Sequence, residues 1–117
     1  MKNREKLEQL KKIKLIEALD LDEETAIRFF ARRNDSKKEI QELEKKLEDI
    51  FSELEKSFNS ENKNQNENQK QLISETLKTR GSIELKRNQF FSSLNDILTV
   101  EQIGKLIVFE KKFRDEI

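Results

Sequence analysis

The chain of 117 residues balances 24 Lys+Arg against 24 Asp+Glu and contains no His and no Cys. Without imidazole or thiolate groups it lacks the usual nitrogen and sulfur ligands of zinc, copper and iron–sulfur clusters, and the commonest catalytic bases and nucleophiles. Its two isolated glycines cannot form a Gly-rich phosphate-binding loop. We therefore expect no metal, no cofactor and no enzymatic activity, and the zero net charge argues against nucleic acid as a partner.

The composition predicts an all-α protein. The chain has no Pro, only two Gly and 41% charged residues, so nearly every residue keeps its backbone N–H and few interrupt a helix. Hydrophobic residues make up only 33% of the chain, and the thin core that follows favours self-association. We expect one helical domain over residues 1–117, elongated and homodimeric. The sequence has no signal-peptide pattern and no membrane-spanning run, so no membrane insertion is expected.

Apolar residues at helical spacing predict the first two helices. One runs from Lys2 to about Leu19. The next is expected from about Asp22 to Phe58 and, at 1.5 Å per residue, would be roughly 55 Å long. Its apolar residues recur every three or four positions and form one stripe, typical of a coiled coil: Ile40, Leu43, Leu47, Ile50, Leu54 and Phe58.

The second half of the chain predicts a linker and two more helices. Residues 59–69 are dominated by Asn and Gln and include no apolar side chain, which indicates an interhelical linker. A third helix is expected over about 70–97, with a bend or weak point at Gly81. A fourth carries a broad apolar face over 103–117. The long second and third helices would then form a central hairpin.

The start of the fourth helix has the spacing of a capping box. Thr99 is expected to accept a hydrogen bond from the backbone N–H of Gln102, while the Gln102 side chain accepts one from the Thr99 N–H. Leu98 and Ile103 occupy the two positions of a hydrophobic staple, which fixes the angle at which the chain enters the helix. We interpret the motif as structural.

The start of the second helix repeats this scheme in degenerate form. Leu21 precedes Asp22, which is the expected cap, and acidic residues follow in the first turn, where the helix dipole favours them. Thr25 stands where Gln would complete the box, so the reciprocal bond is not expected. The run of carboxylates from Asp20 to Glu24 lacks the Gly and the ligand spacing of a calcium loop, and helix capping explains it better.

The two motifs resemble the Leu-Thr-x-x-Gln motifs of the Spy/CpxP family of bacterial periplasmic chaperones and envelope-stress proteins. The ending is the more similar part, with Leu98-Thr99-Val100-Glu101-Gln102 followed by Phe109-Glu110-Lys111-Lys112-Phe113. The likeness extends from Leu21 to Phe113. The first motif departs from the family pattern at Asp22 and Thr25, and the absence of His removes what zinc-responsive relatives would use.

This resemblance implies a fold, a location and a function. The fold would be a thin antiparallel helical dimer shaped like a cradle. The protein would be located in the periplasm. Its concave face would hold unfolded or partly folded client proteins without ATP, or the protein would act as a stress adaptor that contacts a sensor or regulatory protein.

The candidate client-binding residues combine adjacent aromatic rings with cations. Neighbouring helix residues point about 100° apart, so two consecutive rings cannot both face one narrow seam, and an outlying ring would be available to a client. Nearby arginines would attract acidic segments. The alternative is that both rings lie in a wide interface and the arginines are simply solvated. The candidates are Arg28, Phe29, Phe30, Arg32 and Arg33, with Phe91 as a further member.

A second function class remains open beside the chaperone. The stripe of the second helix is equally typical of a structural coiled coil whose apolar residues are used in self-assembly or in docking to one fixed partner. The phenylalanines and leucines of the last two helices, including Phe90, Leu94, Phe109 and Phe113, are expected in the core or in a dimer interface.

Overall fold

A computed structural model describes residues 2–59 and 65–116, with side chains over 3–59 and 65–114. These residues form four helices, and the described part of the chain contains no strand, which confirms the all-α prediction. The helices are α1 (Lys2–Leu19), α2 (Glu23–Phe58), α3 (Asn66–Ser92) and α4 (Val100–Glu116), with a 3-10 turn (Ser93–Asp96) between α3 and α4.

The third helix begins earlier than the composition predicts. The expected linker reached residue 69, but α3 starts at Asn66; residues 60–64, at the centre of that linker, lie outside the described residues. Polar contacts replace apolar burial in this first turn. The Asn68 side chain donates to Gln65 Oε1 at 3.0 Å, and Gln69 Nε2 donates to Ser57 Oγ at 3.1 Å. Side-chain amides thus stabilise a helix start that hydrophobic periodicity does not reveal.

The end of α3 also differs from the prediction. The α-helix stops at Ser92 rather than near Ile97, and the 3-10 turn follows. The backbone N–H groups of Ile97 and Leu98 both donate to the Leu94 carbonyl, at 3.1 and 2.9 Å, which tightens the chain ahead of α4. The Leu94 side chain is fully buried and fixes this corner. At Gly81, where a bend was expected, α3 continues as one helix.

The chain divides into two compact units, each with its own core. The terminal unit consists of residues 1–32 and 91–117, and the hairpin unit of residues 33–90. In the terminal unit, side chains from α1, α2, α4 and the 3-10 turn meet. Its fully buried large residues are Leu15, Leu19, Phe29, Leu94 and Leu106.

The hairpin unit pairs the second part of α2 with α3 in antiparallel orientation. Residues of rising number on α2 contact residues of falling number on α3: Glu39 with Lys86 at 3.0 Å, Phe51 with Arg80 at 5.6 Å, and Ser57 with Gln69 at 3.1 Å. The buried large apolar residues of this unit are Ile50, Leu72 and Ile83. Thr76 and Thr79 are also buried in the hairpin, and the Thr76 hydroxyl is satisfied by donating to the Leu72 carbonyl at 2.8 Å.

Candidate functional site

The first capping motif lies where α1 ends and α2 begins. The Leu21 N–H donates to the Ile16 carbonyl at 3.1 Å and the Asp20 N–H to the Glu17 carbonyl at 3.3 Å, which is a Schellman ending for α1. Asp20 occupies the left-handed position of this motif with φ of 51°. Asp22 then caps α2, because its Oδ1 accepts the Thr25 N–H at 2.8 Å.

The electrostatics of this cap follow from its hydrogen bonds. The backbone N–H of Thr25, and then its side chain, stabilise the ionised carboxylate and lower the pKa of Asp22. The position of Asp22 just before the first turn of α2 also lets its charge interact favourably with the helix dipole. Within the acidic run, Asp20 thus takes part in ending α1 and Asp22 in starting α2.

The second capping motif contains both expected bonds and one that the motif does not predict. Thr99 Oγ1 accepts the Gln102 N–H at 3.1 Å, and Gln102 Oε1 accepts the Thr99 N–H at 2.9 Å. In addition, Gln102 Nε2 donates to the Leu19 carbonyl at 3.0 Å. This carbonyl is at the end of α1, where it has no partner within the helix. One side chain thus stabilises the start of α4 and the end of α1.

The two adjacent phenylalanines have different surroundings. Phe29 has no exposed surface, whereas Phe30 is half-buried, and the rings meet edge to face with centroids 5.1 Å apart. The ammonium group of Lys12, on α1, lies 6.0 Å from the Phe30 centroid. Ile27, three residues before Phe30 and therefore on the same side of α2, is 65% exposed.

The arginines of the candidate site do not surround Phe30. Arg32 forms two hydrogen bonds to the Asp96 carboxylate, at 2.5 and 2.9 Å, and donates to the Ser93 carbonyl at 2.6 Å. Arg28 approaches the same carboxylate at 4.0 Å, while Arg33 is buried. Arg28 and Arg32 are four residues apart and face the 3-10 turn, so the predicted combination of rings with arginines is divided between two sides of α2.

The ion pair has a clear effect on the carboxylate. The Arg32 hydrogen bonds lower the pKa of Asp96 from 3.8 to about 2, and the same contact raises the pKa of Arg32. The sequence gives no signal for this pair, since the two residues are 64 positions apart. Asp96 is therefore a site residue that sequence reasoning missed.

The remaining aromatic candidates are packed to different degrees. Phe91 and Phe109 are half-buried, while Phe113 is buried and stacks on Phe109 with centroids 5.6 Å apart. Lys11 connects α1 to this pair, because its ammonium lies 5.2 Å from the Phe113 centroid and 2.9 Å from Glu110 Oε2. These contacts join α1 to α4.

The terminal unit exposes many aliphatic side chains. On α1, Leu10 and Ile13 lie on the side opposite Leu15 and Leu19, because residues on one helix face recur at three or four positions. The angular position of each residue around the α1 axis is the sequence signal that could have distinguished the exposed from the buried side chains. The exposed set of this unit is Leu7, Leu10, Ile13, Ile16, Ile27, Val100, Ile107 and Val108.

Within the described residues, no group of three or more acidic side chains is arranged to hold a metal ion. None of the described helices combines the length and the apolar content that crossing a membrane requires. No protein-family model matches this chain, and comparisons with curated proteins and with solved structures found no match. The resemblance to the Spy/CpxP family therefore rests on the capping motifs and the segment that follows the second one.

Proposed function

We propose that this protein is a non-enzymatic chaperone or envelope-stress adaptor of the Spy/CpxP type that binds unfolded or partly folded polypeptides without ATP. The observation that supports this most is the set of exposed aliphatic side chains of the terminal unit, which come from α1, α2 and α4. Burial of exposed apolar side chains against an apolar segment is favourable and non-directional, so it does not select one sequence.

The most concrete contact surface in this proposal is formed by Ile27, Phe30 and Lys12. Ile27 and Phe30 present apolar area on one side of α2, and Lys12 adds a positive charge near the ring. A client segment with an apolar residue next to an acidic one would bury its apolar part and meet the ammonium group. Arg32 contributes less, because Asp96 already compensates its charge.

A periplasmic location and a regulatory partner belong to the same proposal. Both come from the family resemblance, which rests on the sequence motif that contains Leu98, Thr99 and Gln102. In this proposal the motif contributes to the fold and is not itself a client contact.

The test is suppression of aggregation. A denatured test protein is diluted from guanidinium chloride and its light scattering is followed with an equimolar amount of this protein and no ATP. We expect the wild-type protein to reduce scattering, and Ile27→Ser and Phe30→Ser to reduce it less. Leu85→Ser is the control, since Leu85 is 56% exposed, close to the 65% of Ile27, but lies in the hairpin unit. Scattering unchanged by the wild-type protein would contradict the proposal.

The second candidate function is a structural helical module. The hairpin unit favours it, because α2 carries one long apolar stripe and α3 pairs with it in antiparallel orientation. A module of this kind would bind one partner tightly and would leave the aggregation of unrelated denatured proteins unchanged. The same scattering assay with two unrelated test proteins therefore separates the two functions.

A further inference from the structure

The side of α4 that faces away from the core of the terminal unit carries three exposed aliphatic side chains. Val100 is 86% exposed, the highest value among the exposed large apolar residues that the structure describes, and Ile107 and Val108 are about half exposed. The buried residues Leu106 and Phe113 lie on the opposite side of the helix. The core of the terminal unit thus uses one of two apolar sides. We refer to the other, exposed side as the outer side of α4, defined by Val100, Gly104, Ile107 and Val108.

Gly104 leaves a notch at the centre of this outer side. Val100 precedes it by four residues and Val108 follows it by four, so the three form one i±4 row whose middle member has no side chain. Gly104 is exposed, and a Cβ added there would meet no other side chain within 4 Å. Glycine destabilises a helix interior relative to alanine, and here neither positive φ nor crowding requires it. What Gly104 permits is the close approach of another chain from outside.

The notch has the dimensions of an α-helix. At 1.5 Å per residue, Val100 and Val108 are about 12 Å apart along the axis, and a helix with its side chains is about 10 to 12 Å wide. Rows of i±4 residues form the ridges of the commonest class of helix packing, in which the axes cross at about 50°. The axes in such contacts lie about 8 to 10 Å apart, and a glycine at the crossing point allows the shorter distance. A helix that crosses α4 at Gly104 would therefore contact both valines.

An extended polypeptide fits the outer side less well than a helix does. The backbone of α4 is hydrogen-bonded within its own helix, so it offers no edge to which a strand could add. An extended segment would leave its own N–H and C=O groups without partners at the apolar contact, whereas a helix pairs them internally. The surface thus favours a folded helix over an unfolded client, and the inference does not rest on the proposed function.

The charges around the outer side are mainly positive. Helical spacing gives this side and its margins two acidic residues, Glu101 and Asp115. The Glu101 carboxylate lies 4.0 Å from the Lys105 ammonium, which compensates its charge. Among the described residues, no carboxylate pairs with Lys111 or Lys112. The basic residues of the same region are Lys105, Lys111, Lys112 and Arg114.

We propose that the outer side of α4 is a docking site for an acidic amphipathic helix of a partner protein. The partner helix crosses α4 at Gly104, and its apolar residues pack between Val100 and Val108. Its aspartates and glutamates face Lys111 and Lys112, which selects an acidic helix over a basic one.

The other glycine of the chain shows why charge decides between two similar surfaces. Gly81 also lies between exposed aliphatic residues four positions away, Leu77 and Leu85. Its neighbours three positions away are Lys78 and Glu84, of opposite sign. That side of α3 therefore selects neither an acidic nor a basic helix, and Gly81 supplies a matched control.

The experiment measures binding of synthetic peptides to the full chain by fluorescence anisotropy at low salt. The probe is a labelled peptide of about five helical turns with leucines along one side, glutamates elsewhere and a hydrocarbon crosslink that keeps it helical. A second peptide replaces each glutamate by lysine. A third keeps the glutamates but has central prolines and no crosslink, so it cannot form the helix. We expect the acidic helix to bind at least about tenfold more tightly than either of the others.

The matched variants Gly104→Val and Gly81→Val test the notch. Valine is stiff and would fill it, so Gly104→Val should weaken binding of the acidic helix about tenfold, because the added side chain holds the two helices apart. Gly81→Val should leave the affinity unchanged. A merely apolar patch would bind more tightly after Gly104→Val, since the substitution adds apolar surface. Circular dichroism and thermal unfolding check that both variants fold.

A charge reversal tests the choice of partner. Lys111→Glu with Lys112→Glu should weaken binding of the acidic helix and strengthen binding of the lysine peptide, whereas Lys45→Glu with Lys46→Glu, at exposed positions of α2, should change neither. The proposal is overturned by an unchanged or tighter affinity of Gly104→Val, by equal affinities for the acidic and basic helices, or by no binding at about 100 μM. A preference for the proline peptide would also overturn it and would assign the surface to extended chains. None of these results decides the aggregation assay, so the two proposals fail separately.

Discussion

Among the described residues, Asp96 is the carboxyl group whose pKa is lowered the most in the folded state. Its carboxylate accepts two hydrogen bonds from Arg32, and its pKa in the folded protein is about 2 instead of 3.8. A carboxyl group with a lowered pKa in the folded state stabilises that state when ionised. This stabilisation is fully present above about pH 4 and is lost as the pH falls from about 4 to about 2.

The first prediction is that Asp96→Asn removes this part of the acid dependence. The variant should be less stable than wild type at pH 7, and the two stabilities should converge as the pH is lowered through this range. Urea unfolding at a series of pH values measures the difference. Gln41→Asn, at an exposed position of α2, is the control, because it changes no titratable group. A constant difference between Asp96→Asn and wild type from pH 7 to pH 2 would contradict the linkage.

Gln102 makes contacts on two helices through one amide group. Its oxygen accepts the Thr99 N–H and its nitrogen donates to the Leu19 carbonyl. The Thr99 side chain, by contrast, makes one hydrogen bond in the cap, in which its hydroxyl accepts the Gln102 N–H. The two members of the motif therefore differ in what their removal would cost.

The second prediction compares these two residues. Thr99→Ala should lower the free energy of unfolding by about 1 kcal/mol, the usual effect of losing a cap. Gln102→Ala should cost about 2 kcal/mol because it removes two hydrogen bonds. Chemical unfolding measures both, and Gln41→Ala at an exposed position of α2 serves as the control. Equal losses for the two motif variants would show that the bond to Leu19 contributes nothing.

At the scale of helices, hydrogen bonds between residues close in the chain determine where α1 ends and where α2 begins. The Schellman bonds stop α1, and the Asp22 cap starts α2 two residues later. Asp20 accepts the left-handed conformation because its short polar side chain tolerates positive φ better than most residues. The direction change between α1 and α2 thus needs no glycine.

The third prediction concerns the glycine inside α3. A Cβ added at Gly81 would meet no atom within 4 Å, and Gly81 does not have positive φ. Gly81→Ala should therefore raise the free energy of unfolding by about 1 kcal/mol, because alanine loses less backbone entropy in a helix. Thermal unfolding measures the change. Ala31→Gly, an exposed position of α2, should shift stability by a similar amount in the opposite direction. Lower stability for Gly81→Ala would indicate that the helix requires flexibility there.

At the scale of the whole molecule, each unit has a small core of its own. The terminal unit depends on few large side chains, and Phe29 is the largest of those that are fully buried. Small domains have a net stability of about 5 to 15 kcal/mol, so the loss of one such side chain is a large fraction of the total.

The fourth prediction separates the two adjacent rings. Phe29→Ala should cost about 3 to 5 kcal/mol of unfolding free energy because it leaves a cavity in the core. Phe30→Ala should cost clearly less, because the ring is half-buried and solvent can fill the space it leaves. Urea unfolding of the two variants under identical conditions measures the difference. Similar large losses for both would place Phe30 in the core and move the client surface elsewhere.

The amino-acid sequence by itself determined the helical class, the four helices and the two caps. These features depend on neighbouring residues: backbone propensity acts within a turn, and a cap joins residues three positions apart. The absence of Pro and the spacing of Thr99 and Gln102 were therefore enough to predict them. The start of α3 escaped prediction because amide side chains hold it through Gln65 and Gln69, without any apolar periodicity.

Only the tertiary structure decided which apolar and charged residues remain available. Leu10 and Leu15 are equally apolar, as are Leu77 and Ile83, yet the first of each pair is exposed and the second is buried. The difference depends on which side of the helix another helix packs against. The Arg32–Asp96 pair and the contact of Gln102 with Leu19 join residues far apart in the chain. Periodicity shows which residues share a face of a helix. Which face is buried depends on the neighbouring helices, because a side chain is buried only where a second surface packs against it.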